Sequence, residues 1–169
     1  GFNFDGTDDY VKAQTSSSFG IIGNITISAW IKRNNTSRYE VILAKTNGTS
    51  RQDYDFYICG PSCAAGVDDG KLQLYADGLT NPISTGKIID NNWHHVAVSR
   101  SGSVTRYYID GIDAGGGTQS GSFNNNADPV TIGTDDNGVN SFYGKIDDVR
   151  LYNRVLSDAE IKMLYNMGR

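Results

Sequence analysis

The segment that most constrains this chain is FYGKIDDVRLYNRVLSDAEIKML, residues 142–164. Phe142, Gly144 and Ile146 keep one two-residue phase, and Val149 and Leu151 keep the other. A strand turns successive side chains to opposite faces, so the phase slips at Asp147-Asp148. An extra residue in one strand of a pair is a β-bulge, which leaves backbone groups unpaired and re-aims side chains. Two carboxylates at a bulge make a candidate cation site. The same segment then stops as a strand and starts as a helix. Ser157 and Glu160 have the spacing of a capping box, Leu156 and Ile161 that of a hydrophobic staple, and Gly168 ends the run. Ile161, Leu164 and Tyr165 form one short apolar stripe, so this helix is expected to pack on the sandwich edge.

The rest of the chain alternates in short runs between Gly, Asn, Asp and Ser turns, the pattern of an all-β sandwich. In NITISAWIK, Ile25, Ile27, Ala29 and Ile31 share one face. Trp30 falls on the other, as a ligand platform or as part of the inter-sheet core. YEVILAK, YDFYIC, KLQLYAD, WHHVAVSR, VTRYYID and PVTIG read as further strands. Gly102 and Asp110-Gly111 mark hairpins. DAGGGTQSGSFNNNAD (113–128) and TDDNGVNS (134–141) read as irregular loops.

The 169 residues suit one domain spanning 1–169. The chain opens directly into a strand-like GFNFDG, which suggests an excised module or processed product with Gly1 as a cloning remnant. A net charge of −4, with no Lys/Arg run, argues against nucleic acid and anionic membranes. No apolar run is long enough to insert in a membrane. Of nineteen acids only Glu40 and Glu160 are glutamates, and aspartates favour turns and oxygen-ligand loops. Cys59 and Cys63 flank Gly-Pro. A small loop disulfide is favoured over two free thiols, and it implies an extracytoplasmic setting. Asn24, Asn34, Asn35 and Asn47 head N-x-Ser/Thr patterns.

FNFDGTDDYV (2–11), ITISAWIK (25–32), WHHVAVSRSG (93–102), YYIDG (107–111), TIG (131–133) and FYGKIDDVRLYNRVLSDAEI (142–161) occur in an order and spacing that resemble the laminin-G-like members of the concanavalin A-like lectin/glucanase superfamily. The resemblance implies an all-β, two-sheet antiparallel jelly-roll sandwich with one short C-terminal helix, its first and last strands side by side. It also implies a structural calcium ion near those strands. Carried onto this sequence, the family's aspartates are Asp5 and the pair Asp147-Asp148; Asp8 and Asp9 lie within reach across the turn at Gly6, and the expected calcium ligands are Asp5, Asp8 and Asp147.

The superfamily includes glycoside hydrolases, which need two carboxyl groups flanking the scissile bond. The Glu-x-Asp-x-x-Glu strand of its glucanases is absent here. His94 and His95 are adjacent in a strand and face opposite ways, and no serine sits in a nucleophile-elbow pattern. What remains is recognition. Sugars present apolar CH faces and many hydroxyls, matched by aromatic rings beside Asp, Asn and Arg. The carbohydrate-binding residues are expected to be Arg51, Asp53, Tyr54, Asp135, Asp136, Asn137 and Asn140. The expectation is a non-catalytic, calcium-stabilised module of a larger extracellular protein that binds a polysaccharide or glycan. The alternatives are an adhesion or protein-interaction module and, less favoured, a glycoside hydrolase.

Overall fold

In the computed structural model, residues 1–34, 38–46, 52–61, 63, 69–135 and 138–168 are described. The strands are β1 (Phe2–Asp5), β2 (Val11–Ala13), β3 (Ile25–Arg33), β4 (Glu40–Thr46), β5 (Gln52–Ile58), β6 (Lys71–Tyr75), β7 (Ile83–Lys87), β8 (His94–Ser101), β9 (Val104–Ile109), β10 (Ile112–Thr118), β11 (Val130–Ile132) and β12 (Tyr143–Tyr152). One helix, α1 (Asp158–Met167), follows. The strands form two six-stranded antiparallel sheets, in the orders β1-β12-β3-β8-β9-β10 and β2-β11-β4-β5-β6-β7.

The core lies between the sheets. From the first come Ile25, Ile27, Ala29 and Ile31 of β3, Val96 and Val98 of β8, and Tyr107 of β9. They meet Ile42, Tyr54, Phe56, Ile58, Leu72 and Leu74 from the second. Each such aliphatic side chain removed from water contributes about 1.5–3 kcal/mol. Tyr107 also ties the sheets together: its hydroxyl donates to Pro82 O at 2.6 Å and accepts from Leu74 N–H at 2.8 Å.

The β12 bulge is present. Pairing with β3 shifts register between Asp147 and Arg150, and Asp148 adopts φ = +47°. The capping box is complete, and the hydroxyl of Ser157 accepts from Glu160 N–H. The helix does not sit on the sandwich edge as expected. It lies on the outward face of the first sheet, where Leu156, Ile161 and Leu164 pack on Ala97 of β8 and Tyr108 of β9. Trp30 is therefore not part of the inter-sheet core. It stacks on Tyr165 of α1 at 5.7 Å between ring centroids, with His95 beside it at the same spacing.

The segment 113–128 is not all loop. β10 runs through Gly115–Gly117 to Thr118, with a register shift against β9 between Asp113 and Gly116. A Cβ at Gly116 would stand 2.0 Å from the Thr105 carbonyl oxygen. The glycines are here a condition of close strand approach rather than a mark of irregularity.

Candidate functional site

In β5, Tyr54, Phe56 and Ile58 point into the core, so Asp55 and Tyr57 point out of the second sheet. Antiparallel pairing sets Asp55 opposite Tyr75 of β6 and Ala44 of β4, and Tyr57 opposite Gln73 and Val41. Tyr39, just before β4, packs edge-on against Tyr57 with centroids 5.7 Å apart. Tyr57 and Tyr75 are tilted at 6.5 Å. These rings, with Val41, Asp55 and Asn140, line a pocket of about 330 Å³, at the small end of the roughly 300–1,000 Å³ typical of ligand sites.

Polar contacts fix the rim. Asn140 O accepts from Val41 N–H at 3.0 Å, and its side-chain amide donates to Asp135 Oδ2 at 2.7 Å. Asp135 Oδ1 accepts from Val139 N–H at 3.1 Å. Tyr57 donates its hydroxyl proton to Gln73 Oε1, and Gln73 donates in turn to Asn81 O at 2.7 Å.

The floor is different. Asp55 is 1% exposed, and its Oδ1 has no hydrogen-bond partner among the described residues. Leaving a buried acceptor unmatched costs about 1–3 kcal/mol, and more for a charged one. Burial pushes the Asp55 carboxyl well above the usual carboxylate range, and the charges of Asp135, Asp77 and Asp53 push the same way. Burial likewise raises Tyr57 and Tyr75, so their hydroxyls stay protonated and able to donate.

The expected sugar contacts divide. Asn140 lines the pocket and Asp135 holds Asn140 in place. Arg51, Asp136 and Asn137 lie outside the described residues. Asp53 and Tyr54 are corrected, since both are 0% exposed. Asp53 is ion-paired with Lys45 and accepts from the backbone N–H of Asn126 at 2.9 Å and its amide at 2.6 Å. Tyr54 belongs to the core and donates to Phe19 O at 2.9 Å. Sequence reasoning missed Asp55, Tyr57, Tyr75 and Tyr39. The signal lay in YDFYI, where the apolar phase Tyr54-Phe56-Ile58 assigns Asp55 and Tyr57 to the outward face.

The three aspartates expected to share calcium are not gathered. β1 does pair with β12, but Asp5 stands opposite Tyr143 while Phe2 stands opposite Ile146. Asp147 therefore falls past the other end of that ladder, four residues from Asp5's partner, or about 13 Å at ~3.3 Å per residue. Local groups occupy both: Asp5 Oδ1 accepts from Thr7 N–H at 2.8 Å, and Asp147 accepts from Asp148 N–H at 2.9 Å. Asp8 lines a separate hollow with Tyr10, Thr131 and Asp135. Among the described residues no three His, Cys, Asp or Glu side chains converge as a metal site would require. The residues present do not fit one shared ion.

A larger cavity, about 740 Å³, opens on the first sheet beside α1, lined in part by Trp30, Trp93, Asp110, Asp147 and Asp148. Its carboxylates are already matched. Asp110 bonds His94 Nδ1 at 2.9 Å and His95 N–H at 3.0 Å, and Asp148 holds Arg150 through both oxygens at 2.9 and 3.0 Å. Trp30 Nε1, on the cavity lining, and His95 Nδ1, on the ring packed against Trp30, have no hydrogen-bond partner among the described residues, but the unmatched carboxylate oxygen of Asp55 lies in the smaller pocket.

Residues 5–162 match the laminin-G family model described as the concanavalin A-like lectin/glucanases superfamily. The chain belongs to this family. It is 26% identical over 151 residues to adhesion G-protein coupled receptor V1 of Danio rerio; the match covers 86% of this chain and 2% of that receptor. Two solved structures share the fold. One is domain 4 of AbnA, a GH43 extracellular arabinanase from Geobacillus stearothermophilus, in complex with arabinotriose: TM-score 0.74, 17% identity, covering 96% of this chain and 75% of that one. The other is a putative carbohydrate binding protein from Bacteroides ovatus: TM-score 0.75, 20% identity, covering 95% and 45%. No helix among the described residues is long and apolar enough to cross a membrane.

Proposed function

We propose that this laminin-G-like domain is a non-catalytic carbohydrate-binding module that holds a glycan on the outward face of its second sheet. The observation that carries the reading is the unmatched Oδ1 of Asp55 at the floor of a pocket walled by Tyr39, Tyr57 and Tyr75. Rings supply flat surfaces for sugar CH faces, and the carboxyl supplies a fixed polar partner. The arabinotriose bound by the AbnA domain and the carbohydrate-binding description of the Bacteroides protein support the same class of ligand.

Both glutamates are otherwise engaged, which favours binding over hydrolysis. Glu40 is buried against Arg33 at 2.8 Å, and Glu160 closes the helix cap. Asp135, the carboxylate acting most strongly on Asp55, is bonded through both oxygens. Calcium forms no part of this reading, because the aspartates expected to share it are apart. An extracellular setting within a longer protein is supported by the receptor relative and by the Cys59–Cys63 disulfide.

Affinity electrophoresis through gels containing arabinan, xylan, β-glucan, chitin derivatives or galactan tests the proposal. Retardation by at least one polysaccharide, lost in Tyr57→Ala, is expected. The receptor relative favours a second reading, protein adhesion without sugar affinity; it gains if a folded sample runs unretarded in every gel.

A further inference from the structure

We propose that the ligand group seated against Asp55 is a primary ammonium carried by an amino sugar, so that the glycan recognised is rich in unacetylated hexosamine. This rests on the glycan reading above and names the substrate class within it.

Charge balance comes first. Asp55 is buried, and the charges acting on it, from Asp135, Asp77 and Asp53, share its sign. Among the described residues lining the pocket there is neither lysine nor arginine. The nearest cation along the strand pair, Lys45, is held by Asp53 and by Asn126 O at 2.6 Å. A neutral hydroxyl could donate one hydrogen bond to Oδ1 but would not offset the cost of ionising the buried carboxyl. An ammonium brings three donors and an opposite charge, and charge-assisted bonds are the stronger kind.

The walls agree. Cations are drawn to the faces of aromatic rings, and cages of several rings are a recurring way of holding amines. Tyr39, Tyr57 and Tyr75 form a continuous chain of ring contacts around the carboxylate. Asn140 also lines the pocket, its side-chain amide donating to Asp135. An N-acetyl group would place a neutral amide and a methyl where a cation is called for. A sulfated or uronic sugar would add a further negative charge.

The test is isothermal titration of the intact domain, in EDTA and at neutral pH, with glucosamine tetramer and with fully N-acetylated tetramer. The two differ at each unit in a free ammonium against a neutral acetamide. Binding of the first with little or none of the second is expected. Asp55→Asn, which keeps the shape and removes the charge, should weaken glucosamine binding by roughly tenfold or more. The exposed acid Asp113 serves as control for general attraction between a cationic oligomer and an acidic protein, and Asp113→Asn should leave affinity unchanged. Melting curves confirm that each variant is folded. Equal binding of the acetylated tetramer, full glucosamine affinity in Asp55→Asn, or a requirement for calcium would each overturn the ammonium assignment and leave the glycan reading intact. Absence of binding to both tetramers and to every neutral polysaccharide would instead remove the glycan reading beneath it.

Discussion

The carboxylate of Asp135, in the turn after β11, acts through its charge on that of Asp55, in the middle of β5, and helps to raise its pKa. Asp135 is held by Val139 N–H and the Asn140 amide, whereas one oxygen of Asp55 has no partner among the described residues. Two acids brought to one face with unequal support make a stability cost on one side and a binding opportunity on the other.

That cost is measurable. With its folded pKa raised, Asp55 keeps its proton more readily in the native state than in the unfolded chain. Its contribution to stability therefore falls as pH rises from the ordinary carboxylate range through the folded pKa, under the pull of burial and of Asp135, Asp77 and Asp53. Asp55→Asn should raise Tm at neutral pH, by roughly 2–4 °C for each kcal/mol regained, and should flatten this part of the pH profile. Calorimetry of both proteins across the acid-to-neutral range checks it. An unchanged or lower Tm in the variant would mean that Asp55 is satisfied in the native state.

Glu40 and Arg33 are both fully buried, and their pair joins several segments. Arg33 Nη1 donates to Ile88 O at 2.9 Å, and Glu40 Oε1 accepts from Tyr143 N–H at 3.1 Å. Removing one partner strands a buried charge, so Glu40→Ala should cost about 3–5 kcal/mol in urea unfolding. The double replacement Arg33→Met/Glu40→Leu should recover much of that loss. A cost below about 1 kcal/mol for the single variant, within the range of exposed pairs, would contradict the buried pair.

The two neighbouring histidines should titrate apart. Burial opposes charging of His94, but hydrogen bonds to Asp90 and Asp110 outweigh it and raise the pKa above 6.5. Its stabilising effect is present below the unfolded value and lost as pH rises through the folded one. Burial beside Trp30 and Tyr165 lowers His95 to about 4, so its effect has the opposite sign and stability is lost as pH falls from 6.5 toward that value. Imidazole NMR titration of the folded domain should resolve one resonance on each side of 6.5. Coincident titrations would contradict the two environments.

The Cys59–Cys63 bridge closes a very short loop just beyond β5. Loop-closure entropy predicts a loss of ~2 kcal/mol for Cys59→Ala/Cys63→Ala, read from urea midpoints under non-reducing conditions. No loss would mean that the bridge constrains nothing in the unfolded chain.

Much of the architecture was legible because local rules and global packing agree. The Ile25-to-Ile31 phase, the Asp147-Asp148 slip and the Ser157–Glu160 cap each follow from chemistry within a few residues. The glycines at 115–117 misled because a run of glycine looks the same whether it frees a loop or lets two strands meet. The calcium trio failed on register: neighbouring first and last strands do not reveal which residues lie opposite, and a four-residue offset separates Asp5 from Asp147. Asp53 and Tyr54 were mistaken for surface because they follow a polar loop, while pairing with β4 and burial by Asn126 draw Asp53 inward. The pocket itself unites Tyr39, Asp55, Tyr75 and Asn140, a juxtaposition set by sheet order rather than by spacing in the chain.

The most direct test of the central claim compares wild-type domain with Tyr57→Ala and Asp55→Asn in polysaccharide affinity gels run with EDTA. The account predicts retardation of the wild type by at least one glycan, weakened in both folded variants. Undiminished retardation in both would place binding elsewhere on the molecule, and a folded wild type that no glycan slows would contradict the account.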